Sequence, residues 1–492
     1  MTGQATLTLR LDDSWGLINP NLYGHFIEHL GRCIEEGIWV GPESSIPNTE
    51  GLRNDTVAAF KALNPPVLRW PGGCFADLYH WEDGIGPRER RPRRVNAWWY
   101  KEEDNHFGTD EFLQFCRLTG AEPYICGNVG SGSPREMMNW VEYCNYGGDS
   151  HYARLRAQYG HPEPYGVKYW GVGNENWGCG GAYDPECYAR EYRRYALYLR
   201  RLDPSLQLIA CGHTTRDWNL RFLETLGRLD LLDHLSIHRY YGCGHETEFT
   251  DQEYYDLYLR ALQVDADIRR TEELLSFFGQ GRFIGLVVDE WGVWHPQAKN
   301  PDGLYQQNTL RDALVAASVL DVFNRWAAKV TMANLAQTVN VLQCVIQTEG
   351  AKMWLTPTYH VFSLYRPHQG ATSLRVDLEC DSVAVRNPEG RAASLPVLSA
   401  SASRHGERGE LTLTVTNRHL TEPQEVAVRL RGEAALGEGR QWVLTAEDVR
   451  MVNRAEQPEA VVPTGSPFPP GKAEFTLVLP PKSLTTLVVP LR

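Results

Sequence analysis

The stretch VKYWGVGNENWG, residues 167–178, shows how one repeating unit of this chain is built. An apolar run leads into a polar turn in which Glu175 stands between two asparagines. Asp184 and Pro185 are a favourable cap and first residue for a helix. Apolar side chains then recur every three or four residues, at Tyr188, Tyr192, Tyr195, Leu199 and Leu202. The stretch therefore predicts a strand, a turn and a helix, the unit of parallel α/β folds.

The same scheme recurs from Leu22 to about residue 345, and it can be counted eight times. The candidate strands are LYGHFIEH (22–29), VLRWPGG (67–73), PYICGNVG (123–130), VKYWGVGNE (167–175), LQLIACGH (206–213), LSIHRYY (235–241), IGLVVDEW (284–291) and MANLAQTVN (332–340). Eight such units predict a (β/α)8 TIM barrel, in which functional side chains gather at the carboxyl ends of the strands.

The pattern of apolar and polar residues changes beyond about residue 358. Apolar and polar residues alternate in ELTLTVTN (410–417) and AEFTLVLPPKSLTTLVVPL (473–491), which predicts an additional C-terminal antiparallel β-sandwich domain. ATLTLRL (5–11) alternates in the same way and is expected to add a strand to that domain. We thus expect residues 1–18 to join the β-domain, 19–358 to form the catalytic barrel and 359–492 to form the sandwich.

The composition narrows the choice of partner. The net charge of −12 argues against nucleic acid, because phosphate binding needs clustered positive charge. The arginine-rich segment GPRERRPRRVNAWWY (86–100) is interpreted as a solvated or salt-bridged loop. The start of the chain does not resemble a signal peptide, and no run of about 18 apolar residues occurs. These features predict a cytoplasmic protein without a membrane partner.

The 11 cysteines are scattered, odd in number and without a C-x-x-C pair. This pattern predicts reduced thiols rather than a disulfide framework or a zinc knuckle.

Two glutamates are the candidate catalytic pair. Glu175 ends the fourth candidate strand, and Glu290, in VVDEWGVWH (287–295), ends the seventh, so a closed barrel brings both to one rim. One carboxyl group can serve as general acid while the other acts as nucleophile or base, which suits cleavage of a glycosidic bond. Asn174 could donate to the sugar hydroxyl beside the anomeric carbon. Strand alternation is expected to point Asp289 away, toward packing or a buried ion pair.

Further polar and aromatic residues fall at the predicted strand ends. Together they suggest a pocket for a polyhydroxyl ligand, with apolar faces supplied by tryptophans. The polar residues are Glu28, Arg69, Asn128, His213, His238, Tyr240 and Gln337, and the tryptophans are Trp177, Trp291 and Trp294.

At this point five motifs, in order along the chain, resemble the family 51 glycoside hydrolases, which are chiefly α-L-arabinofuranosidases. The motifs are GHFIEHLGRCIEEGIW (24–39), LRWPGGCFADLYHWEDGIGPRERRP (68–92), YWGVGNENWGCGG (169–181), SIHRYYG (236–242) and DEWGVWH (289–295). The resemblance covers nearly the whole chain, barrel and β-domain alike.

The resemblance implies a retaining, exo-acting enzyme that releases terminal arabinofuranosyl groups from arabino-oligosaccharides, arabinan or arabinoxylan fragments. It implies that Glu290 is the nucleophile and Glu175 the acid/base. It also implies a homo-oligomer, a hexamer. We expect neither a cofactor nor a metal. Substrate contacts implied by matching positions are Glu28, Cys74, Asn174, His238, Tyr240, Trp294 and Gln337, with Arg69 in support.

Cys74 departs from the family pattern. Many members have PGGNF, with an asparagine that contacts the arabinosyl unit, where this chain has PGGCF. Because a thiol is a weaker hydrogen-bonding partner than an amide, we expect an altered substrate contact at this position. Packing is the other interpretation of Cys74.

Alternative functions remain at this stage. A β-xylosidase or an endo-β-glucanase could use the same barrel and the same two acids. A metal-dependent hydrolase is disfavoured because the first predicted strand lacks the His-x-His pair with which such barrels usually begin; His25 and His29 are four residues apart. A carbohydrate-binding protein without catalysis would not need the pair of acids.

Overall fold

The computed structural model describes residues 3–300, 303–386, 390–432, 435–469 and 473–491. Strands and helices are numbered here in chain order. Eight strands close into a parallel barrel. They are β2 (Gly24–Phe26), β5 (Val67–Trp70), β8 (Glu122–Gly127), β9 (Tyr169–Val172), β10 (Gln207–Cys211), β11 (His234–Tyr241), β12 (Gly285–Val293) and β13 (Val330–Ala336). Each overlaps one of the eight predicted strands, and the (β/α)8 prediction is confirmed.

Helices surround the barrel. They are α1 (Asn54–Leu63), α2 (Thr109–Thr119), α3 (Pro134–Asn145), α4 (His151–Gln158), α5 (Pro185–Leu202), α6 (Arg216–Leu226), α7 (Asp251–Ala261), α8 (Gln263–Gly279), α9 (Leu310–Arg325) and α10 (Pro357–Tyr365). The predicted helix after Glu175 is confirmed as α5, where the side chain of Asp184 accepts a hydrogen bond from the N–H of Cys187. Its buried face includes Tyr188, Tyr192 and Leu199.

The interior of the barrel is packed rather than hollow. Val67, Tyr124, Ile209, Val287 and Met332, one from each of five strands, form a buried apolar cluster. Such layers of side chains fill a barrel of eight strands. The functional side chains therefore have room only at the carboxyl ends, above this layer.

The second domain is a nine-stranded sheet with the order β23-β22-β25-β20-β19-β16-β1-β21-β24. Its strands are β1 (Gly3–Leu17), β16 (Thr372–Glu379), β19 (Leu398–His405), β20 (Glu410–Asn417), β21 (Gln424–Arg431), β22 (Gly439–Leu444), β23 (Thr464–Phe468), β24 (Glu474–Leu479) and β25 (Ser483–Pro490). The N-terminal strand β1 joins this sheet, as predicted. Its pairing with β16 is antiparallel, but its pairing with β21 is parallel, which alternation alone did not reveal.

Four two-stranded hairpins complete the strands. They pair β3 (Asn48–Thr49) with β4 (Leu52–Arg53), β6 (Arg94–Asn96) with β7 (Lys101–Glu103), β14 (Ile346–Glu349) with β15 (Lys352–Leu355), and β17 (Ser382–Arg386) with β18 (Ala392–Pro396). The arginine-rich segment runs into the β6–β7 hairpin, and four of its five arginines are paired: Arg88 and Arg91 with Glu111, Arg93 with Glu102, and Arg94 with Asp83. The fifth, Arg90, is exposed, so the prediction of a solvated or salt-bridged loop is confirmed.

Helix α9 connects the two domains. Almost all of its residues are buried, because one side packs on the barrel and another on β19 of the sheet. Polar groups at this seam are paired: Ser399 donates to Asp321, and Asn324 donates to Ser401. Among the described residues, no helix combines the length and apolar character needed to cross a membrane.

Candidate active site

Glu175 lies in the tight turn that follows β9, at the carboxyl end of the barrel. Its φ angle is 41°, in the left-handed region, which costs a non-glycine residue about 1–3 kcal/mol. Gly173, two residues earlier, has a φ of 84°, and a Cβ there would lie 2.2 Å from the side chain of Asn176. The sequence GVGNENWG thus forms a close-packed turn whose shape surrounding contacts must maintain.

Glu290 lies within β12, and only 4% of its surface is exposed. The preceding residue, Asp289, accepts hydrogen bonds from the Tyr124 hydroxyl and the Asn334 amide, and it pairs with Arg69 at 3.5 Å. The predicted buried ion pair of Asp289 is therefore confirmed, and its partner Arg69 also contacts Glu290 at 2.7 Å.

His238, from β11, lies between the two candidate acids. Its Nδ1 is 2.8 Å from Oε1 of Glu175 and 3.5 Å from Oε2 of Glu290. One nitrogen or oxygen atom from each of the three side chains lies within 4.8 Å of the others. Carboxyl groups about 5 Å apart can reach one anomeric carbon as a nucleophile and an acid/base, whereas a larger gap leaves room for a water molecule.

The electrostatics of the pair favour an ionised Glu290. Burial raises the pKa of Glu290. His238, Arg69 and the Tyr240 hydroxyl lower it by a larger amount, so the pKa lies below its usual range. Burial lowers the pKa of His238, yet Glu290 and Glu175 outweigh this effect and raise the pKa above its usual value. A negative Glu290 beside a positive His238 is the charge arrangement that results.

Arg69, from β5, is fully buried and joins Glu290 to Asn174, the residue directly before Glu175. Its Nη1 donates to Oε1 of Glu290 at 2.7 Å, and its Nη2 donates to Oδ1 of Asn174 at 2.6 Å. Since Arg69 occupies the oxygen of that amide, the Nδ2 group of Asn174 is the part that can donate elsewhere. Arg69 thus fixes the side-chain orientation of Asn174, next to Glu175.

Glu28 follows β2 and is 2% exposed. Its carboxylate accepts hydrogen bonds from the N–H of Phe75, from Nε1 of Trp99 and from Nε2 of Gln337. Burial and the nearby Glu290 raise the pKa of Glu28 to about 7, against the lowering effect of these donors. A Cβ at Gly73 would lie 2.7 Å from this carboxylate, which explains the glycine at that position in PGG.

Cys74 is not a free thiol: it forms a disulfide with Cys179, with the Cα atoms 5.5 Å apart. The expectation of reduced thiols is therefore wrong for this pair, although the other nine cysteines are free. Sγ of Cys179 lies 3.6 Å from Oε2 of Glu175, so the bridge borders the site. A partly exposed disulfide stands where the sequence suggested a thiol contact.

Aromatic side chains border the mouth of the site. Trp294 is 37% exposed and contacts the ring of Tyr240 edge-on at 5.3 Å between centroids. Trp294, Trp99 and Leu304 help to line an open, mainly apolar cleft of about 610 Å³. Such a cleft beside the carboxylates can accommodate the part of a substrate beyond the reacting sugar.

Two contributions to this site were missed in the sequence. Trp99 lies in the segment interpreted only as a surface loop, yet its indole reaches Glu28. Asp77 accepts a hydrogen bond from the N–H of Asn174 and was not singled out. The pair of adjacent tryptophans in AWWY could have marked Trp99 as a candidate for the site. Nothing in the sequence around Asp77 indicates that it contacts Asn174.

Some candidates lie outside the group. The amide of Asn128 accepts a hydrogen bond from the N–H of Ser131 and donates one to the hydroxyl of the same residue. His213 contacts Thr215 and the ring of Trp177. Trp291 is buried in the core. A larger cavity of about 1060 Å³, lined by Lys168, Arg366 and Trp442 among others, reaches the amino-terminal ends of the barrel strands and is remote from the two acids.

Comparisons with known proteins give a consistent result. Two family models match: an α-L-arabinofuranosidase 1 domain over residues 59–260 and an α-L-arabinofuranosidase C-terminal domain over residues 289–483. An intracellular exo-α-L-arabinofuranosidase of Bacteroides ovatus is 42% identical over 98% of this chain and 95% of its own length. A probable α-L-arabinofuranosidase C of Aspergillus niger is 36% identical over 96% of this chain and 94% of its own.

Solved structures agree over the full length. The GH51 arabinofuranosidase from Xanthomonas axonopodis pv. citri has a TM-score of 0.93 at 38% identity and covers 99% of this chain and 100% of its own. The α-L-arabinofuranosidase of Thermotoga maritima, solved as an arabinose complex, has a TM-score of 0.90 at 34% identity and covers 99% of both chains. The similarity thus extends over the barrel and the sheet domain alike.

Proposed function

The chain belongs to the family 51 α-L-arabinofuranosidases, retaining glycoside hydrolases, and we propose on this premise that Glu290 is its nucleophile and Glu175 its acid/base. Its substrates are terminal, non-reducing α-L-arabinofuranosyl groups on arabino-oligosaccharides, arabinan or arabinoxylan fragments. The observation that carries the assignment is the spacing of Glu175, His238 and Glu290, whose polar atoms lie within 4.8 Å of one another. This distance favours direct attack by a carboxylate over attack by an intervening water.

In the first step, an oxygen of Glu290 attacks the anomeric carbon while Glu175 gives its proton to the leaving oxygen. The products are a glycosyl-enzyme ester and the released alcohol. In the second step, Glu175 removes a proton from water, the water oxygen attacks the anomeric carbon, and Glu290 leaves as a carboxylate. The charges and hydrogen bonds of Arg69, His238 and Tyr240 keep Glu290 ionised before attack, which supports its role as the nucleophile.

The other side chains would hold the sugar. We propose that Asn174 donates its Nδ2 to the 2-hydroxyl, since Arg69 already occupies its oxygen. Glu28 and Gln337, joined by a hydrogen bond, would bind further hydroxyls. Trp294 would pack against the sugar or its aglycone, and the Cys74–Cys179 bridge would form a wall beside Glu175. The relatives' activities favour an arabinofuranoside over the xyloside and glucan alternatives.

The first experiment separates these sugars. We expect initial rates on p-nitrophenyl α-L-arabinofuranoside to exceed those on p-nitrophenyl β-D-xylopyranoside by about 10²-fold or more, as differential transition-state binding of about 3 kcal/mol would give. Glu290→Ala should lower the arabinofuranoside rate by at least about 10⁴-fold, because no nucleophile remains. The control is Asp149→Asn, which changes an exposed carboxylate. Asp289→Asn would be a poor control, because it breaks a buried ion pair. A preference for the xyloside would contradict the proposed substrate.

A second experiment tests the role of Glu175. Glu175→Ala should leave kcat/KM within about tenfold for a 2,4-dinitrophenyl arabinofuranoside, whose leaving group needs no proton. For an alkyl arabinofuranoside the same change should cost about 10³-fold or more. The measurement is the slope of log kcat/KM against leaving-group pKa for both enzymes. Equal losses on all leaving groups would contradict the assignment of Glu175 as the acid.

We further propose a cytoplasmic homo-oligomer. The relative from Bacteroides ovatus is described as intracellular, and the hexamer is implied by the resemblance to the family. Light scattering after size-exclusion chromatography gives the mass directly. A mass of six 55.8 kDa chains would support the hexamer, and a monomer mass would contradict it.

A further inference from the structure

The strained turn that carries Glu175 is held by a residue with no role in the chemistry proposed above. Asp77 is 2% exposed and lies in the short helical turn Cys74–Leu78 after β5. One carboxylate oxygen, Oδ1, accepts the N–H groups of Val129 and Gly130 at 2.7 Å each. The other, Oδ2, accepts the N–H of Asn174 at 2.8 Å. A single side chain thus ties together the ends of three neighbouring strands, β5, β8 and β9.

We propose that Asp77 is a positioning residue for the acid/base: through the N–H of Asn174, its Oδ2 sets the place of the Glu175 carboxyl relative to the leaving oxygen. The inference rests on the role proposed for Glu175. Asp77 contacts the residue directly before Glu175, and Glu175 has a left-handed φ of 41° that its surroundings must maintain.

The packing around Asp77 points to the same contact. Gly180 closes the turn on the other side, where a Cβ would lie 2.5 Å from Oδ2 of Asp77 and 2.0 Å from the carbonyl oxygen of Asn174. The N–H of Gly180 donates to the carbonyl of Glu175. Any residue with a side chain at 180 would have to push Asp77 and the turn apart, so the carboxylate and the turn fit each other closely.

The Cys74–Cys179 bridge joins the same two segments by a second route, but it fixes a different part of the turn. It holds position 179, which is four residues after Glu175, whereas Asp77 holds position 174, directly before it. Proton transfer depends steeply on distance, and a displacement of about 1 Å can cost about 10²-fold in rate. A loss of the Asp77 contact should therefore appear in the acid step first.

The test is Asp77→Asn, which keeps the size of the side chain. Its single carbonyl oxygen can still accept from Val129 and Gly130, but its amide N–H₂ then faces the N–H of Asn174, donor against donor. We expect kcat/KM for an alkyl arabinofuranoside to fall about 10- to 100-fold, with less than about threefold loss for the 2,4-dinitrophenyl arabinofuranoside. The slope of log kcat/KM on leaving-group pKa should become steeper, in the same direction as for Glu175→Ala.

A matched control separates positioning from general destabilisation. Asp110 accepts two tyrosine hydroxyls, from Tyr143 and Tyr165, and makes no contact with the Glu175 turn among the described residues. Asp110→Asn should lower the melting temperature without changing the leaving-group slope. If Asp77→Asn does not fold, Gly180→Ala disturbs the same contact from the opposite side and should steepen the slope in the same way.

The outcomes distinguish the two proposals. A steep slope for Glu175→Ala together with a wild-type slope for Asp77→Asn overturns the positioning role and leaves the acid/base assignment intact. An unchanged slope for Glu175→Ala overturns the acid/base assignment itself, and the positioning role falls with it. Uniform loss on all leaving groups for Asp77→Asn, as for a merely structural residue, also overturns the inference.

Discussion

At the scale of single residues, the hydroxyl of Tyr240 is the neutral donor to the nucleophile candidate. It donates to Oε2 of Glu290 at 2.7 Å and helps to lower the pKa of that carboxyl. A hydrogen bond to a charged group contributes about 1.5–3 kcal/mol, or about one to two pKa units. Tyr240→Phe should therefore raise the pKa of Glu290.

The consequence is visible in a pH profile. Glu290 must be ionised to attack, so kcat/KM is high above its pKa and falls as the pH drops through it. In Tyr240→Phe this acidic limb should move to higher pH by about one unit, and the plateau should fall by about 10- to 100-fold. Tyr241→Phe is the matched control, because the hydroxyl of Tyr241 has no partner among the described residues. An acidic limb that stays in place would contradict the role of Tyr240.

Much of the site could be predicted residue by residue. A strand's carboxyl end is marked where an apolar run meets polar residues, and a barrel places all such ends on one rim, which is why Glu28, Glu175 and Glu290 could be grouped. Contacts between residues that are distant in the sequence leave no such local pattern. The target of Asp77 lies 97 residues further along the chain, so only the fold reveals that contact.

At the scale of elements, a disulfide joins the turns that follow β5 and β9, which lie on the same side of the barrel mouth with only β8 between them. The turn after β5 contributes Cys74, and the turn after β9 contributes Cys179, 105 residues later. The sequence could not predict this pair, because scattered cysteines without a short spacing are typical of reduced thiols. Since Sγ of Cys179 lies 3.6 Å from Glu175, the redox state of the bridge bears on the acid/base.

Reduction of this bridge by a dithiol should lower activity. Two thiols stand farther apart than two bonded sulfurs, so the wall beside Glu175 must move. We expect kcat/KM on p-nitrophenyl α-L-arabinofuranoside to fall about two- to tenfold after reduction and to recover on reoxidation. The Cys74→Ser, Cys179→Ser double variant should match the reduced enzyme and ignore the dithiol.

The exposed free thiol of Cys187 provides the control for this experiment. Cys187→Ser should respond to the dithiol as the wild type does, since Cys187 lies on α5 and outside the site. Thiol titration before and after reduction should show two additional thiols in the wild type. Full activity in an enzyme that has gained those two thiols would contradict the prediction.

At the scale of the whole molecule, the chain's two architectures could be predicted because their apolar periods differ. Runs followed by helices predict a parallel barrel, and strict alternation predicts the sheet. The partner of each strand is a different matter. The parallel pairing of β1 with β21 depends on how the sheet folds around the N-terminal strand, and no local period encodes it.

The two domains meet at α9, where Asp321 is completely buried. Its carboxylate accepts the hydroxyls of Tyr365 and Ser399. Burial outweighs these hydrogen bonds and raises the pKa of Asp321 to about 6, from an ordinary value of 3.8. Between these pH values the folded protein binds the proton more tightly than the unfolded chain does, so stability falls as pH rises through this window.

Asp321→Asn removes that dependence. The amide keeps one acceptor and can donate to Ser399, whose hydroxyl lies 3.3 Å from that of Ser318 and can turn toward it. Because the pKa difference corresponds to up to about 3 kcal/mol, the melting temperature of Asp321→Asn relative to wild type should increase by a few degrees from pH 4 to pH 7. Scanning calorimetry at several pH values measures this, with the exposed Asp149→Asn as control. Parallel curves of melting temperature against pH for Asp321→Asn and wild type would contradict the prediction, because the Asp321 carboxyl would then titrate alike in the folded and unfolded chain. A single calorimetric transition in both proteins would show that the contact between the domains couples the unfolding of the barrel to that of the sheet.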